Sequence, residues 1–168
     1  MSESIRDAVE RASAQLAAHP EGPEADQPAT AVIEEGLRVR VEGPKGTVVT
    51  DMAEAVGGGG GAPTPGWLLR AALASCDVSG IAIEAARRGV ELTSLTVTVE
   101  SDSDARGALG LDDSIPPGPL EVRRRIALTA SNAGPDELRE LVRRAEALSP
   151  VGDAFARSLS VTTEIVAG

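Results

Sequence analysis

The stretch Thr64–Gly89, TPGWLLRAALASCDVSGIAIEAARRG, decides the fold of this chain. It predicts one helix from Pro65 to Arg88, because Thr64 can cap the first free N–H groups and proline fits the first turn. Two terminal arginines suit the negative end of the helix, and Gly89 stops it. At about 1.5 Å per residue this helix is roughly 35 Å long, which is long for a globular protein.

Charged residues occupy only a narrow stripe of this helix. Arg70, Asp77 and Glu84 are spaced seven apart, and apolar side chains cover most of the remaining surface. We therefore expect the helix to be enclosed on most sides, with these three charged residues facing water.

The other segments predict an α+β protein. Residues 3–18 have helical spacing and residues 20–28 have the composition of a linker, so we divide the chain into an N-terminal helix and linker (1–28) and a folded domain (29–168). A second long helix should carry Leu138 to Leu148 and end at Ser149-Pro150. Strands are predicted by alternation around Val39 and Val41 and over 47–50, 92–99, 121–130 and 159–166. Because strands and helices do not alternate as in βαβ units, antiparallel sheets fit best.

Composition restricts the partners and cofactors. The 168 residues carry a formal net charge of -10, so nucleic acid and anionic membrane surfaces are poor partners. The absence of a long uncharged apolar run and of a basic, apolar leader predicts a cytoplasmic protein. His19 is the only histidine and Cys76 the only cysteine. We therefore expect no metal and no other cofactor, and neither a histidine-based triad nor an internal disulfide.

Residues 57–61 are five consecutive glycines. A phosphate-binding loop would require a GK[ST] motif in this context, and the segment lacks it. We interpret the glycines as a flexible loop that leads into the long helix.

Cys76 is the leading candidate for a reactive nucleophile, although a single cysteine on an apolar helix is more often a small buried hydrophobic residue. A reactive thiol needs a nearby cation and access for a substrate. Arg38 and Arg40 share one face of an early strand, and Arg124 interrupts an apolar strand face. Each arginine could supply the cation, or could simply extend to water.

The run Gly57–Cys76, GGGGGAPTPGWLLRAALASC, resembles the OsmC-like family of osmotically inducible and organic hydroperoxide resistance proteins, in which a Gly/Pro approach leads into a cysteine-bearing helix. Three more segments match in family order, namely AARRGVEL at Ala85–Leu92, DARGALGL at Asp104–Leu111, and LSPV at Leu148–Val151 in the place of a "CPV" motif. The resemblance covers about residues 30–165. It implies an intertwined homodimer with two long helices at the centre and antiparallel sheets outside.

The resemblance also implies a chemistry. Cys76 would attack an organic hydroperoxide as a thiolate and become a sulfenic acid, assisted by Arg38 or Arg40. The family's second cysteine corresponds to Ser149, which cannot form the protecting disulfide, and Gly66 stands where a carboxylate often holds the arginine. We therefore expect one-cysteine reduction of a small apolar hydroperoxide with an external thiol as reductant. The alternative is a non-catalytic dimeric scaffold or small-molecule-binding protein in which Cys76 is only packed.

Overall fold

A computed structural model describes residues 4–20 and 22–168. Within those ranges the chain has α+β architecture, with these elements in order: α1 (Ile5–Ala18), β1 (Thr30–Glu35), β2 (Arg38–Gly43), β3 (Gly46–Thr50), a 3₁₀ turn (Glu54–Val56), α2 (Pro65–Arg88), β4 (Leu92–Asp102), α3 (Ala105–Ala108), β5 (Glu121–Ala130), α4 (Pro135–Glu146) and α5 (Pro150–Ala156). The chain forms two compact units, Glu10–Ala71 and the described residues up to Val9 with Ala72–Gly168. The division after residue 28 stays a prediction.

The unit Glu10–Ala71 contains a three-stranded antiparallel sheet in the order β1-β2-β3. Gly43 pairs with Gly46 at the hairpin between β2 and β3, which confirms the predicted turn. The sequence pattern does not predict β1, because its side chains are all exposed and do not alternate between a buried and an open face. Its pairing with β2 defines it as a strand instead.

The other unit has its core between a two-stranded antiparallel sheet and two helices. β4 pairs with β5 so that Leu95 lies opposite Leu128 and Val97 opposite Ile126. These four side chains pack on a buried apolar cluster from α2 and α4. Ile81 and Leu141 lie at the centre of this cluster and are fully buried. Period-two alternation in the strands and period-3.6 spacing in the helices direct the apolar faces toward one another.

Both predicted ends of α2 are confirmed. Thr64 Oγ1 accepts from the N–H of Trp67 at 3.2 Å, as expected of a capping residue. At the other end Gly89 has φ of 70°, in the left-handed region, and the N–H of Val90 returns to the carbonyl of Ala85 at 2.9 Å. Only a residue without Cβ adopts this backbone conformation at little cost.

The prediction that the charged stripe on α2 is exposed to solvent is wrong. Asp77 and Glu84 are 3% and 7% exposed and lie on the buried face of the helix, together with Leu73, Ile81 and Ala85. Each carboxylate has an arginine as ion-pair partner, which permits burial that would otherwise be too costly. The expectation of a helix enclosed on most sides is also wrong for the single chain, because Trp67 and Ile83 stay 49% and 36% exposed.

By length and composition alone, α2 could also cross a membrane. A charged side chain at the centre of a bilayer costs about 3 kcal/mol. Here the two carboxylates at Asp77 and Glu84 are buried against other elements of the chain and paired with arginines. Buried carboxylates with ion-pair partners favour packing within a folded domain.

The region after α4 departs from the sequence analysis. Ser149-Pro150 does not merely end α4 but begins α5, since Ser149 caps the new helix and proline occupies its first turn. The predicted last strand, Leu159 to Val166, is wrong for the single chain: these residues have no regular secondary structure and are exposed. An alternating segment becomes a strand only when a neighbouring strand accepts its backbone hydrogen bonds.

Candidate functional site

The sulfur of Cys76 lies beside a polar group and is not sealed among aliphatic side chains. Cys76 is half-buried in the middle of α2. Its Sγ atom is 3.4 Å from Oγ of Ser149, which comes from the start of α5, 73 positions later in the chain. The two residues that the resemblance places at the family's cysteine positions are therefore in contact.

Ser149 is held in place by two further hydrogen bonds. Its Oγ accepts from the N–H of Gly152 at 3.1 Å, which is the capping bond of α5. The same hydroxyl donates to Oδ1 of Asp77 at 3.1 Å. A serine hydroxyl has one proton, so the contact with Cys76 uses a lone pair of Ser149, and the thiol is the donor.

Asp77 connects this contact to an arginine. Its Oδ2 is 3.2 Å from Nη1 of Arg124, and Nη2 of that arginine is 3.1 Å from Oε1 of Glu146. The Asp77 side chain is 1% exposed, whereas those of Arg124 and Glu146 are about one-third exposed. The arginine thus compensates a buried carboxylate while keeping part of its own hydration.

Strand alternation explains why Arg124 reaches this position. On β5 it follows Val122 and precedes Ile126 on the inward face, and it pairs across the sheet with Val99. An arginine on an apolar strand face must be paired or solvated. The structure shows that the partner of Arg124 is Asp77.

An open pocket borders the same network. Its volume is about 450 Å³ and its wall is both apolar and polar, with Arg124 and the backbone of Gly152 on the side of the Asp77 and Ser149 contacts. The apolar wall comes from α2, the approach to β5, β5 itself and α5, through Leu73, Leu120, Val122 and Phe155. A space of this size and mixed lining suits a small molecule with both an apolar and a polar part.

Arg38 and Arg40, the predicted cations for Cys76, lie on β2 in the other compact unit. There Nε of Arg38 is 3.5 Å and Nε of Arg40 is 3.0 Å from the carboxylate of Glu34, and Arg40 also pairs with Glu42. Both arginines are therefore engaged on their own sheet. Their role toward Cys76 stays a prediction.

The glycine loop is organised around a single carboxylate. Asp51 is buried and accepts from the N–H groups of Gly61 at 3.1 Å, Met52 at 2.8 Å and Gly59 at 3.2 Å. The bond from Gly61, followed by those from Met52 and Gly59 and by the charge of Arg38, lowers the pKa of Asp51 against the opposing effect of burial. The loop is thus anchored and not free, and Asp51 occupies N–H groups that a phosphate would need.

Sequence reasoning missed Asp77 and Ser149 as members of the Cys76 site. It treated Asp77 as a solvated residue and Ser149 as an inert replacement. The available signal was the position of Asp77 directly after Cys76 together with Arg124 on an apolar strand face, since an arginine on such a face must be paired or solvated. Among residues 4–20 and 22–168, no group of three His, Cys, Asp or Glu side chains could hold a metal ion.

Comparison with known proteins gives a consistent picture of the fold. An "OsmC like protein" from Mycoplasma pneumoniae superposes with a TM-score of 0.68 at 14% identity, covering 80% of this chain and 89% of that one. An "organic hydroperoxide resistance protein OsmC, predicted redox protein, regulator of sulfide bond formation" from Legionella pneumophila gives 0.58 at 22% identity, covering 80% and 91%. The organic hydroperoxide resistance protein OhrB of Bacillus subtilis gives 0.52 at 18% identity, covering 77% and 90%.

No curated protein matches the sequence. The family described as "OsmC-like protein" matches over residues 57–164, a span that includes α2, Cys76, Ser149 and the sheet of β4 and β5. This is more than half of the chain, and the structural neighbours have the same fold. The α+β chain therefore belongs to the OsmC-like protein family, which consists of soluble proteins and includes organic hydroperoxide resistance proteins.

Proposed function

We propose that this protein reduces organic hydroperoxides, with Cys76 as the nucleophile in a one-cysteine cycle. The single observation that carries the proposal is the contact of the Cys76 sulfur with Ser149, whose hydroxyl is bonded to the Arg124-paired carboxylate of Asp77. A cysteine that served only to fill the core would have apolar neighbours. Structural relatives that are organic hydroperoxide resistance proteins support the same reaction class.

The first step is attack of the sulfur on the terminal oxygen of the hydroperoxide. A sulfur–oxygen bond forms, the O–O bond breaks, and the alkoxide leaves with the thiol proton as an alcohol. Sulfur is oxidised from thiol to sulfenic acid while the hydroperoxide is reduced. The neighbouring residue is Ser149, which has no sulfur, so the cycle uses no internal disulfide.

An external thiol completes the cycle. One thiol displaces water from the sulfenic acid to form a mixed disulfide, and a second thiol releases reduced Cys76 with formation of a small disulfide. A cytoplasmic location suits this step, because intracellular thiols reduce such mixed disulfides. The side chains of Leu73, Leu120, Val122 and Phe155 in the pocket beside Arg124 provide an apolar surface for the alkyl part of the substrate.

Assembly as a homodimer belongs to the same proposal. Apolar side chains remain exposed on α2 at Trp67, Leu69 and Ile83, and in the segment after α5 at Val161 and Ile165. A second copy would cover these side chains and provide hydrogen-bond partners for the alternating C-terminal segment. Sedimentation equilibrium at micromolar concentration should give the mass of two chains, and the mass of one chain would contradict this assembly.

The test of the reaction uses the full-length, fully reduced protein without added reductant. We expect it to consume close to one equivalent of cumene hydroperoxide per chain, and to turn over when a dithiol is added. Cys76→Ser, which preserves size and polarity, should consume none. If the native protein leaves the hydroperoxide intact, the proposed reaction is wrong and the alternative, a non-catalytic scaffold or small-molecule-binding protein, is favoured.

A further inference from the structure

The hydroxyl of Ser149 has its full set of hydrogen bonds in this structure. It donates its one proton to Asp77 Oδ1 at 3.1 Å and accepts from the N–H of Gly152 at 3.1 Å. Its second lone pair faces the sulfur of Cys76 at 3.4 Å. A serine oxygen has one donor and two acceptor positions, so all three positions are used while Cys76 is a thiol.

The same contacts allow a second arrangement of protons. If the thiol proton moves to Ser149 and the Ser149 proton moves to Asp77, the neutral carboxyl of Asp77 donates to Ser149 and the hydroxyl of Ser149 donates to the sulfur. Each hydrogen bond is kept with its direction reversed, and Gly152 still donates to Ser149. No buried polar group loses a partner, which would otherwise be costly.

The shift also leaves the net charge of the site unchanged. The negative charge passes from Asp77 to the sulfur, so no additional charge is created in the protein interior, where an unpaired charge is strongly disfavoured. Arg124 binds Oδ2 of Asp77, the oxygen that takes no part in the transfer. It remains paired with Glu146 in both arrangements.

We propose that Ser149 relays the thiol proton of Cys76 to Asp77 as the sulfur attacks its substrate. Ser149 is then a catalytic residue, because it touches the reacting sulfur, and Asp77, which acts through Ser149, is a positioning residue. The inference rests on the proposed function for its role in turnover, since the relayed proton is then delivered to the alkoxide that leaves as an alcohol. The serine in the place of the family's second cysteine thus acquires a role of its own.

The transfer is transient because a carboxylic acid is normally a much stronger acid than a thiol, with ordinary pKa values of about 3.9 and 8.5. The relay therefore assists the sulfur only while its proton is leaving, in the manner of a general base. The charged groups that bear on it are Asp77 on α2, Arg124 on β5 and Glu146 on α4.

The test measures alkylation of Cys76 by iodoacetamide, in which iodide leaves and the thiol proton ends in solvent. The second-order rate constant is determined between about pH 6 and about pH 10 for the native protein, Ser149→Ala and Ser149→Thr. Near pH 7 we expect Ser149→Ala to react about 100-fold more slowly than the native protein. This factor is at the lower end of the range that general-base catalysis contributes. Near pH 10 the rates should converge, because solvent hydroxide then removes the proton directly.

Ser149→Thr keeps the hydroxyl and should retain most of the native rate near pH 7. If a variant at position 149 does not fold, Asp77→Asn replaces it, because the asparagine oxygen accepts from Ser149 but takes up no proton; it should show the same loss near pH 7. A ratio of native to variant rates that stays constant across this pH range would mean that the hydroxyl only packs, and would overturn the relay.

Alkylation separates this inference from the proposed function. The reagent contains no peroxide, so the pH-dependent ratio tests the relay even in a protein that reduces no hydroperoxide. Hydroperoxide consumption that fails in the native protein would overturn the proposed function and leave the alkylation result standing. A constant ratio, in turn, would overturn the relay and leave measured consumption standing.

Discussion

The guanidinium of Arg124 contacts the buried carboxylate of Asp77 at 3.2 Å, although the two residues are 47 positions apart in the chain. The contact joins α2 to β5. Asp77 also accepts a hydrogen bond from Ser149, whose oxygen contacts the sulfur of Cys76. A charge pair at this place stabilises the fold only as long as both partners are present. The surroundings of the cysteine and the stability of the domain therefore depend on the same two side chains.

Replacing Arg124 with methionine should destabilise the protein strongly. The carboxylate of Asp77, 1% exposed, would be left without its cation, and breaking a buried pair in this way costs about 3 kcal/mol. The free energy of unfolding in urea measures the effect. Arg123→Met is the matched control, because Arg123 pairs with Asp102 and Glu121 at the surface, and its loss should change stability much less.

The double replacement Asp77→Leu with Arg124→Met tests the reason for that loss. With both charges absent no buried charge remains unpaired, so most of the stability lost in Arg124→Met should return. If the double variant is as unstable as the sum of the two single ones, the charge pair is not the cause.

Ser149→Cys should convert the protein to a two-cysteine cycle. The Sγ of Cys76 and the Oγ of Ser149 are 3.4 Å apart, so a sulfur at position 149 would lie within reach of the sulfenic acid at Cys76. One equivalent of cumene hydroperoxide should then yield an intramolecular disulfide, detected as the loss of both free thiols and linkage of the two peptides. Ser114→Cys, in an exposed loop where the serine bonds Asp112, is the control and should leave no such linkage.

Asp51 should make the stability of the glycine loop depend on pH in acid. Its pKa is lowered in the folded state, chiefly by the N–H of Gly61, so its contribution is present above the unfolded value of about 3.9 and is lost as the pH falls through the folded one. Asp51→Asn should therefore be less stable than the native protein at neutral pH, and the difference should shrink in stronger acid. Hydrogen exchange of the Gly59 and Gly61 amides reports the same loss locally, and equal exchange in both proteins would contradict it.

The glycine loop should also be intolerant of a side chain at position 58. A Cβ atom at Gly58 would lie 2.0 Å from the backbone oxygen of Met52, so Gly58→Ala must displace the loop, at a cost of about 1–3 kcal/mol. At Gly118 a Cβ would have no neighbour within 4 Å, and Gly118→Ala is the matched control. Equal unfolding midpoints for the two variants would show that the loop is not packed as described.

The sequence predicted those features that depend on local physical chemistry. The bounds of α2 follow from a capping threonine, a first-turn proline and a terminating glycine, and the existence of β4 and β5 follows from alternation. Features that depend on distant partners were predicted less well. Asp77 was expected to face water, because only the folded chain brings Arg124 to it.

The same limit applies to Ser149 and to the last segment of the chain. A Ser-Pro pair can either end one helix or begin another. In the folded chain Ser149 and Pro150 begin α5. Leu159 to Val166 alternate as a strand does, yet no strand among the described residues accepts their hydrogen bonds. Local patterns define what a segment can form, and long-range contacts determine which possibility is realised.

The most direct measurement traps the oxidised sulfur itself. The reduced full-length protein is treated with one equivalent of cumene hydroperoxide in the presence of dimedone, a reagent selective for sulfenic acids, and the Cys76 peptide is examined by mass spectrometry. Because Cys76 is the only cysteine, an adduct identifies the site without ambiguity. The account predicts a dimedone adduct on most chains as the hydroperoxide disappears; an unmodified thiol beside intact hydroperoxide would contradict it.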